Sequence, residues 1–259
     1  MTVELHDFGG GGPDVLLLHG GGDNIETWRE LAPRLGRSFH VWAYDARGHG
    51  RCLAPDVASV EVVFRDVLDA AAELSRPLVV GHSMGGVNAL LAAVRTDGFR
   101  GVVALDAVPR WWSQPDLTRD DLEEIGRSRG LPWQGTAAEL EATVSTLAAE
   151  SPHADLIRAV FRRNHAPNGD GRLRRVPDLE YAIELARVYR GAESGLTREK
   201  IEAARCPVLM LCSEAWVTSQ DARRTLADLR GPRVEWLDTS HYLHWDAPED
   251  VAGRIEAFA

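Results

Sequence analysis

One serine in this chain lies where its hydroxyl group could act as a nucleophile. Ser83 is the central residue of GHSMGG, Gly81 to Gly86, which follows the apolar run PLVV and precedes the helical run VNALLAAV. In the pattern G-x-S-x-G, a sharp strand-to-helix turn exposes the serine above the carboxyl edge of a sheet. The N-terminus of the following helix favours negative charge nearby. The alternative is a glycine-rich turn with an incidental serine, but the flanking strand and helix favour a nucleophile.

A second glycine-rich segment could stabilise the negative charge that forms when such a serine attacks a carbonyl group. HGGG, His19 to Gly22, follows the apolar run VLLL. We predict that the backbone N–H groups of Gly21 and Met84 form the oxyanion hole, where one donor contributes roughly 3–4 kcal/mol of transition-state stabilisation. The alternative is a phosphate-binding loop, which the absence of a GxGxxG or Walker pattern makes weak.

The elements that must position these residues are predicted from short apolar runs that alternate with helical patterns. Six runs indicate strands: Val15–Gly20, Phe39–Asp45, Pro77–Ser83, Gly101–Ala107, Cys206–Ser213 and Arg233–Asp238. Helices are predicted near residues 27–35, 58–74, 84–96, 221–229 and 248–258. This alternation indicates a mostly parallel α/β sheet with helices on both faces. The segment VELHDF at the start could add one short edge strand.

Residues 109–199 interrupt the alternation and are predicted to form a separate helical unit. They contain helical patterns at 120–128, 137–149, 155–163 and 178–189 and no convincing strand. We interpret the segment as a helical cap inserted into an α/β core that comprises residues 1–108 and 200–259.

Composition limits the classes of partner and compartment. The 259 residues carry a net charge of −10, which argues against nucleic acid or an anionic membrane as a partner because either would repel the chain. Cys52, Cys206 and Cys212 fit neither a disulfide framework nor a metal site. The sequence shows no signal peptide and no membrane span. We therefore expect a cytoplasmic protein that acts on a small molecule without a metal or cofactor; the oligomeric state is not predicted.

The serine turn and the glycine loop, together with YDARGHG at Tyr44–Gly50, resemble the α/β-hydrolase fold family. The resemblance covers essentially the whole chain outside the insertion, and the family's helical cap, inserted after the sixth strand, matches residues 109–199. The family usually has a β-hairpin before the strand that ends in HG, whereas only one short strand is predicted here. The loop from Asp45 to His49 matches one that is usually structural, so it is given no chemistry.

The resemblance also places a general base after the last strand. TSHYLHWDAPEDV is similar to the family segment G-H-x-x-x-x-E-x-P, with Ser240 for the glycine and Asp246 for the glutamate. His241 is therefore the predicted base, because a serine nucleophile needs one at this edge of the sheet. His244 is the competing histidine, but the spacing to Asp246 and Pro248 favours His241.

The acid that should orient this histidine is missing from its usual place. In most of the family it follows the seventh strand, where CSEAWVTS has Trp216, and an indole cannot replace a carboxylate. Asp106, after the strand that precedes the cap, matches the acid of certain haloalkane dehalogenases, zearalenone-type lactonases and cofactor-independent dioxygenases. Asp106 could instead cap a turn or pair with Arg110. The acid would then be Glu214 or Asp238, or the site would use a bare Ser–His dyad.

A substrate pocket is predicted beside these residues, at the junction of core and cap. Its candidate lining residues are Gly22, His82, Trp111, Trp112, Trp133 and Trp216. Such sites are mostly apolar, so the tryptophans indicate an apolar or aromatic substrate. Packing of the cap on the core is an equally good explanation for any one tryptophan.

The resemblance implies a cofactor-free serine hydrolase that cleaves an ester, lactone or thioester through an acyl-enzyme. A non-hydrolytic lyase, cyclase or cofactor-independent oxygenase is the alternative, with His241 and Asp106 acting as the base. A binding protein that has lost catalysis is the third possibility, and the intact Ser–His pair argues against it.

Overall fold

The computed structural model describes residues 3–53, 59–107, 118–128, 131–190 and 196–259. The strands of this part of the chain are β1 (His6–Gly10), β2 (Asp14–Leu18), β3 (His40–Tyr44), β4 (Leu78–His82), β5 (Gly101–Leu105), β6 (Gln134–Gly135), β7 (His165–Pro167), β8 (Leu173–Arg175), β9 (Val208–Ser213) and β10 (Arg233–Leu237). Its helices are a 3₁₀ turn at Ile25–Trp28, then α1 (Ala32–Leu35), α2 (Val60–Ala71), α3 (Met84–Arg95), α4 (Arg119–Ser128), α5 (Ala137–Ala148), α6 (Ala154–Arg163), α7 (Leu179–Arg190), α8 (Arg198–Glu202), α9 (Gln220–Ala227), α10 (Leu243–Asp246) and α11 (Pro248–Phe258).

A seven-stranded sheet carries the site. Its strand order is β1-β3-β2-β4-β5-β9-β10, and every neighbouring pair is parallel except β1 with β3. All six predicted strands are present, and from residue 3 onwards a single strand, β1, precedes β2 where the family usually has a hairpin. Because β4 and β5 lie side by side at the centre, their carboxyl ends meet at one edge. The predicted α/β-hydrolase fold is confirmed.

The sheet is buried on both faces, as the continuous apolar runs predict for parallel strands. Alternate residues of each strand enter opposite layers of the core. Val79 and Val102 pack in one layer, and Val80 and Val103 pack in the other. All four side chains are fully buried, so the ends of these strands form a rigid base for catalytic side chains.

The described part of the cap contains four helices, α4 to α7, and a small sheet that was not predicted. The order of this sheet is β6-β8-β7, with antiparallel pairing throughout. The expectation of no strand in residues 109–199 is therefore wrong. These strands contain only two or three residues each, too few to show the period-two alternation that identifies a strand in a sequence. Within the described ranges, no helix is long and apolar enough to span a membrane.

Candidate active site

Ser83 lies on a strained turn between β4 and α3. Its backbone angles are φ 50° and ψ −115°, a region that residues other than glycine rarely occupy. Its N–H donates to the carbonyl oxygen of Leu105 at 2.9 Å, and its own carbonyl accepts from Val87 at 3.0 Å. The strand–turn–helix context required by the motif is therefore present, and Ser83 lies where β4 and β5 end together.

Two glycines permit this turn because the backbone passes too closely for any side chain. A Cβ atom on Gly81 would lie 2.2 Å from the carbonyl oxygen of Gly85. A Cβ atom on Gly85 would lie 2.1 Å from the carbonyl oxygen of Leu18, at the end of β2. The glycines of the motif thus let β4, α3 and the glycine loop after β2 approach one another.

The glycine loop lies directly against the residue that follows the serine. A Cβ atom on Gly21 would be 3.7 Å from Met84 Sδ. Met84 is the first residue of α3, where backbone N–H groups have no acceptor within the helix. Gly22 has φ 82°, which explains the glycine at that position. The two predicted oxyanion-hole residues are thus neighbours.

His19 fixes the start of this loop. Its Nε2 accepts the N–H of Ala46 at 2.8 Å, so the ring proton is on Nδ1, which donates to the carbonyl oxygen of Gly20 at 2.8 Å. Burial lowers the pKa of His19, which keeps the ring neutral and suited to accept a hydrogen bond. This histidine therefore has a structural role in the loop.

Asp106 and His241 form a hydrogen-bonded pair at the same edge of the sheet. His241 Nδ1 lies 2.6 Å from Asp106 Oδ2, and Asp106 Oδ1 accepts the N–H of Ser213 at 2.9 Å. The N–H of Asp106 donates to Leu211 at 2.7 Å, and φ of Asp106 is 45°. The carboxylate is fully buried and has a partner on each oxygen, so it can hold the imidazole of His241 in a fixed orientation.

The carboxylates of Glu214 and Asp238 lie in exposed positions. These two residues follow β9 and β10, and both are exposed to solvent. Glu214 is connected through its backbone N–H to Leu237. Of the three candidate acids, Asp106 is the one hydrogen-bonded to Nδ1 of His241.

Trp216 occupies the loop that usually carries the acid, and it packs on the face of the histidine. The ring centroids of Trp216 and His241 are 4.4 Å apart, with 23° between the ring planes. Trp216 is 45% exposed, so it lies at the entrance to the site. Its position fits the predicted pocket wall.

His82 does not lie in an open pocket, which corrects its predicted place. The residue is 1% exposed, and its Nε2–H donates to the carbonyl oxygen of His241 at 2.9 Å. Its Nδ1 lies 3.7 Å from Asp23 Oδ2, which is also buried. Because adjacent side chains diverge at the turn, His82 enters the core beneath the site while Ser83 remains above it. His82 therefore holds the loop that carries His241 in place through a hydrogen bond from the core side.

His244, the competing histidine, is buried in a separate environment. It has no solvent exposure, and its Nε2 lies 2.9 Å from Thr27 Oγ1. Burial lowers the pKa of His244 well below its ordinary value, so the ring stays neutral. These contacts agree with the choice of His241 over His244.

The predicted tryptophans of the cap have different outcomes. Trp133 packs edge-on against His165 at 4.6 Å, and its carbonyl oxygen accepts from Arg175, so we assign it to packing of the small cap sheet rather than to the pocket. Trp111 and Trp112 fall within residues 108–117, outside the described residues.

A cap residue that was not predicted contacts the glycine loop. Asn164, which follows α6 and is 2% exposed, donates from Nδ2 to the carbonyl oxygen of Gly22 at 2.6 Å. Its Oδ1 accepts the N–H of Gly50 at 3.1 Å. The residues joined to Asn164 are more than a hundred positions away in sequence, so no local pattern could have identified it.

The cysteines and acidic groups give no sign of a metal centre in the ranges that the structure describes. No group of three or more His, Cys, Asp or Glu residues there is arranged to hold a metal ion. Burial raises the pKa of the Cys206 thiol to about 11 and raises that of Cys212 further. Both thiols are therefore protonated near neutral pH and serve as packing residues.

Two relatives resemble the chain over most of its length. The 2-(acetamidomethylene)succinate hydrolase of Mesorhizobium japonicum is 28% identical over 100% of this chain and 91% of its own. The pimeloyl-[acyl-carrier protein] methyl ester esterase of Pectobacterium carotovorum subsp. carotovorum is 28% identical over 84% of this chain and 88% of its own.

Solved structures of other proteins are similar to the chain over nearly all of its length. The crystal structure of E-2-(acetamidomethylene)succinate hydrolase matches with a TM-score of 0.75 at 26% identity, covering 99% of this chain and 94% of that one. The thioesterase domain from the curacin biosynthetic pathway matches with a TM-score of 0.72 at 22% identity, covering 97% and 94%. The α/β hydrolase family matches residues 15–254 of this chain. With an esterase and a hydrolase among its relatives, the chain is an enzyme of the α/β hydrolase family.

Proposed function

We propose that the chain is a cofactor-free serine hydrolase whose catalytic acid is Asp106. The observation that carries the proposal is the 2.6 Å hydrogen bond between Asp106 and His241, at the sheet edge where the strained turn presents Ser83. A serine on such a turn, a histidine and a buried carboxylate are the three groups that acyl transfer requires. They also occur in the chain order nucleophile, acid, histidine that this fold uses.

The reaction follows from the position of each group. Ser83 Oγ attacks the carbonyl carbon of the substrate while His241 Nε2 takes the hydroxyl proton, and Asp106 stabilises the imidazolium through Nδ1–H. The N–H groups of Gly21 and Met84 stabilise the oxyanion of the tetrahedral intermediate. The imidazolium then protonates the leaving group, and water activated by His241 releases the acyl group from Ser83.

The substrate class is a small ester, lactone or thioester. The similar proteins include an enzyme named as a methyl ester esterase, one named as an enol-lactonase and a thioesterase domain, all of which cleave carboxylic acid derivatives. Trp216 at the entrance favours an apolar or aromatic group next to the scissile bond.

Trapping of the acyl-enzyme tests the nucleophile directly. We expect a p-nitrophenyl phosphonate to add a single phosphonyl group to the wild-type protein, detected by intact mass spectrometry and located on Ser83 by peptide mapping. Ser83→Ala should abolish the adduct and the turnover of p-nitrophenyl esters, because no other hydroxyl lies on the strained turn. The exposed Ser38→Ala is the matched control and should react like the wild type.

Two outcomes would contradict this assignment. Labelling that persists in Ser83→Ala would place the nucleophile elsewhere. Turnover of the physiological substrate that persists in Ser83→Ala would favour the non-hydrolytic alternative, in which His241 and Asp106 act as a base without an acyl-enzyme.

A further inference from the structure

We propose that Trp216 stabilises the protonated form of His241 through a cation–π interaction, in addition to forming a wall of the pocket. The indole lies nearly parallel to the imidazole, with centroids 4.4 Å apart and planes 23° apart. A cation within about 6 Å of an aromatic centroid, over its face, is attracted by the ring quadrupole, and tryptophan has the strongest effect. The residue at the usual position of the acid would thus still support the same charge, from the face of the ring rather than its edge.

The loop that carries Trp216 is fixed by hydrogen bonds on both sides of the residue. The N–H of Trp216 donates to Ser213 Oγ at 3.1 Å, at the end of β9. Arg223 on α9 donates to the carbonyl oxygens of Glu214 at 2.6 Å and Val217 at 2.7 Å. Although its side chain is partly exposed, the indole is therefore anchored by its backbone, which reduces the entropy lost when it stacks on the histidine.

Asp106 and Trp216 contact different parts of the His241 ring. Asp106 binds in the plane of the imidazole at Nδ1 and is the acidic group in direct contact there. Among the residues that the structure describes, the titratable side chains near the ring include His82, with its centroid at 4.7 Å, Tyr242 at 5.7 Å and His244, which packs on His82 at 4.6 Å. Glu214 and Asp238 are exposed to solvent. An acid on the edge and an indole on the face therefore both favour the charged ring.

The consequence for catalysis rests on the proposed function. His241 becomes positively charged when it takes the proton of Ser83, so an interaction that strengthens with that charge lowers the barrier. The interaction between Trp216 and protonated His241 is also present in the free enzyme, before any substrate binds. In the free protein the same interaction raises the pKa of His241, because it favours the protonated form.

The comparison of Trp216→Leu with Trp216→Phe separates the quadrupole from simple coverage of the ring. Both replacements are apolar, but only phenylalanine keeps an aromatic face. The pKa of His241 is measured from the pH titration of its Cε1–H resonance, assigned by its loss in His241→Gln. We expect the pKa to fall by about 0.5 unit in Trp216→Leu and by clearly less in Trp216→Phe. We expect kcat to fall about two- to fivefold in Trp216→Leu.

Equal His241 pKa values in the leucine and phenylalanine variants, or a higher value in the leucine variant, would overturn the inference. The NMR titration decides this without any substrate. Absence of ester turnover in the wild type would therefore contradict the proposed function, while the titration would still decide the role of Trp216.

Discussion

At the scale of single residues, the proposed acid Asp106 follows a different strand from the family's usual acid and is still hydrogen-bonded to His241. Asp106 directly follows β5, and its backbone N–H donates to the carbonyl oxygen of Leu211 on β9. Its Oδ1 accepts the N–H of Ser213, and its Oδ2 is hydrogen-bonded to Nδ1 of His241. Both hydrogen bonds of the carboxylate are thus formed before any substrate binds, which is what a preorganised site requires. Since β5 and β9 are neighbouring strands, Asp106 after β5 lies beside Ser213 at the end of β9, the strand that the family's usual acid follows.

Trp216, at the position where the family usually has the acid, also contacts His241. Trp216 covers the face of His241, while His82 donates to its carbonyl oxygen. His241, the proposed general base, is therefore restrained at its edge, its face and its backbone, which limits the orientations of its ring. Such restraint of a catalytic group is what preorganisation requires.

At the scale of elements, the cap is connected to the loops that line the site. Asn164 joins the end of α6 to Gly22, and Asn24 donates to the carbonyl oxygen of Val160 on α6 at 2.9 Å. Arg163 binds the carboxylate of Asp45, which follows β3. The cap is thus connected through polar contacts to the glycine loop, which carries the proposed oxyanion donor Gly21, and we expect its packing to influence the geometry of that loop.

Replacement of Asn164 by leucine tests this coupling. The change removes the hydrogen bonds to Gly22 and Gly50 and leaves two backbone groups without their partner, which costs about 1–3 kcal/mol for each group that is buried. We expect a fall of about tenfold to a hundredfold in kcat, with a smaller change in KM, because a displaced Gly21 weakens one oxyanion donor. Steady-state kinetics on a p-nitrophenyl ester and the thermal unfolding midpoint measure the two effects.

Asn168→Leu, a change of the same kind just after the cap strand β7, is the matched control and should keep the wild-type kcat. A wild-type kcat in Asn164→Leu, together with a lowered unfolding midpoint, would show that Asn164 stabilises the fold without positioning the loop.

Much of this arrangement could be predicted from the sequence because the signals are local. The motif GHSMGG predicts a turn in which Gly81 and Gly85 approach each other closely. The apolar runs predict the ends of β5, which Asp106 follows, and of β10, which precedes His241. The resemblance to the family places the usual acid at position 216, and the indole there cannot supply a carboxylate. The sequence could not predict contacts between distant segments, such as Asn164 with Gly22, or the burial of His82 beneath the turn. Strands as short as β6 also carry no periodic signal.

At the scale of the whole molecule, buried histidines connect stability to pH. Burial lowers the pKa of His49 from 6.5 to about 4, and it also lowers the pKa values of His19 and His244. The unfolded chain therefore binds more protons than the folded chain below the unfolded pKa of about 6.5. The stability contributed by the neutral rings is complete above that pH and is lost as the pH falls towards the folded values.

We therefore expect the free energy of unfolding to fall between pH 6.5 and pH 4, measured by urea denaturation at a series of pH values. The shift of His49 from 6.5 to about 4 corresponds to a contribution of about 3 kcal/mol over this range. His49→Gln should reduce the slope, whereas Asn168→Gln, which removes no titratable side chain, should leave the slope unchanged. A slope that is equal in all three proteins would show that His49 does not contribute to the acid sensitivity.

The central claim is that Asp106 serves as the acid of the catalytic site, and kcat of Asp106→Asn tests it most directly. Asparagine keeps the shape of the side chain but cannot stabilise the imidazolium, so we expect a loss of about 10⁴ in kcat. Glu214→Gln and Asp238→Asn are the controls, and both should remain near the wild-type value. A kcat for Asp106→Asn within about tenfold of the wild type, or a large loss in either control, would contradict the account.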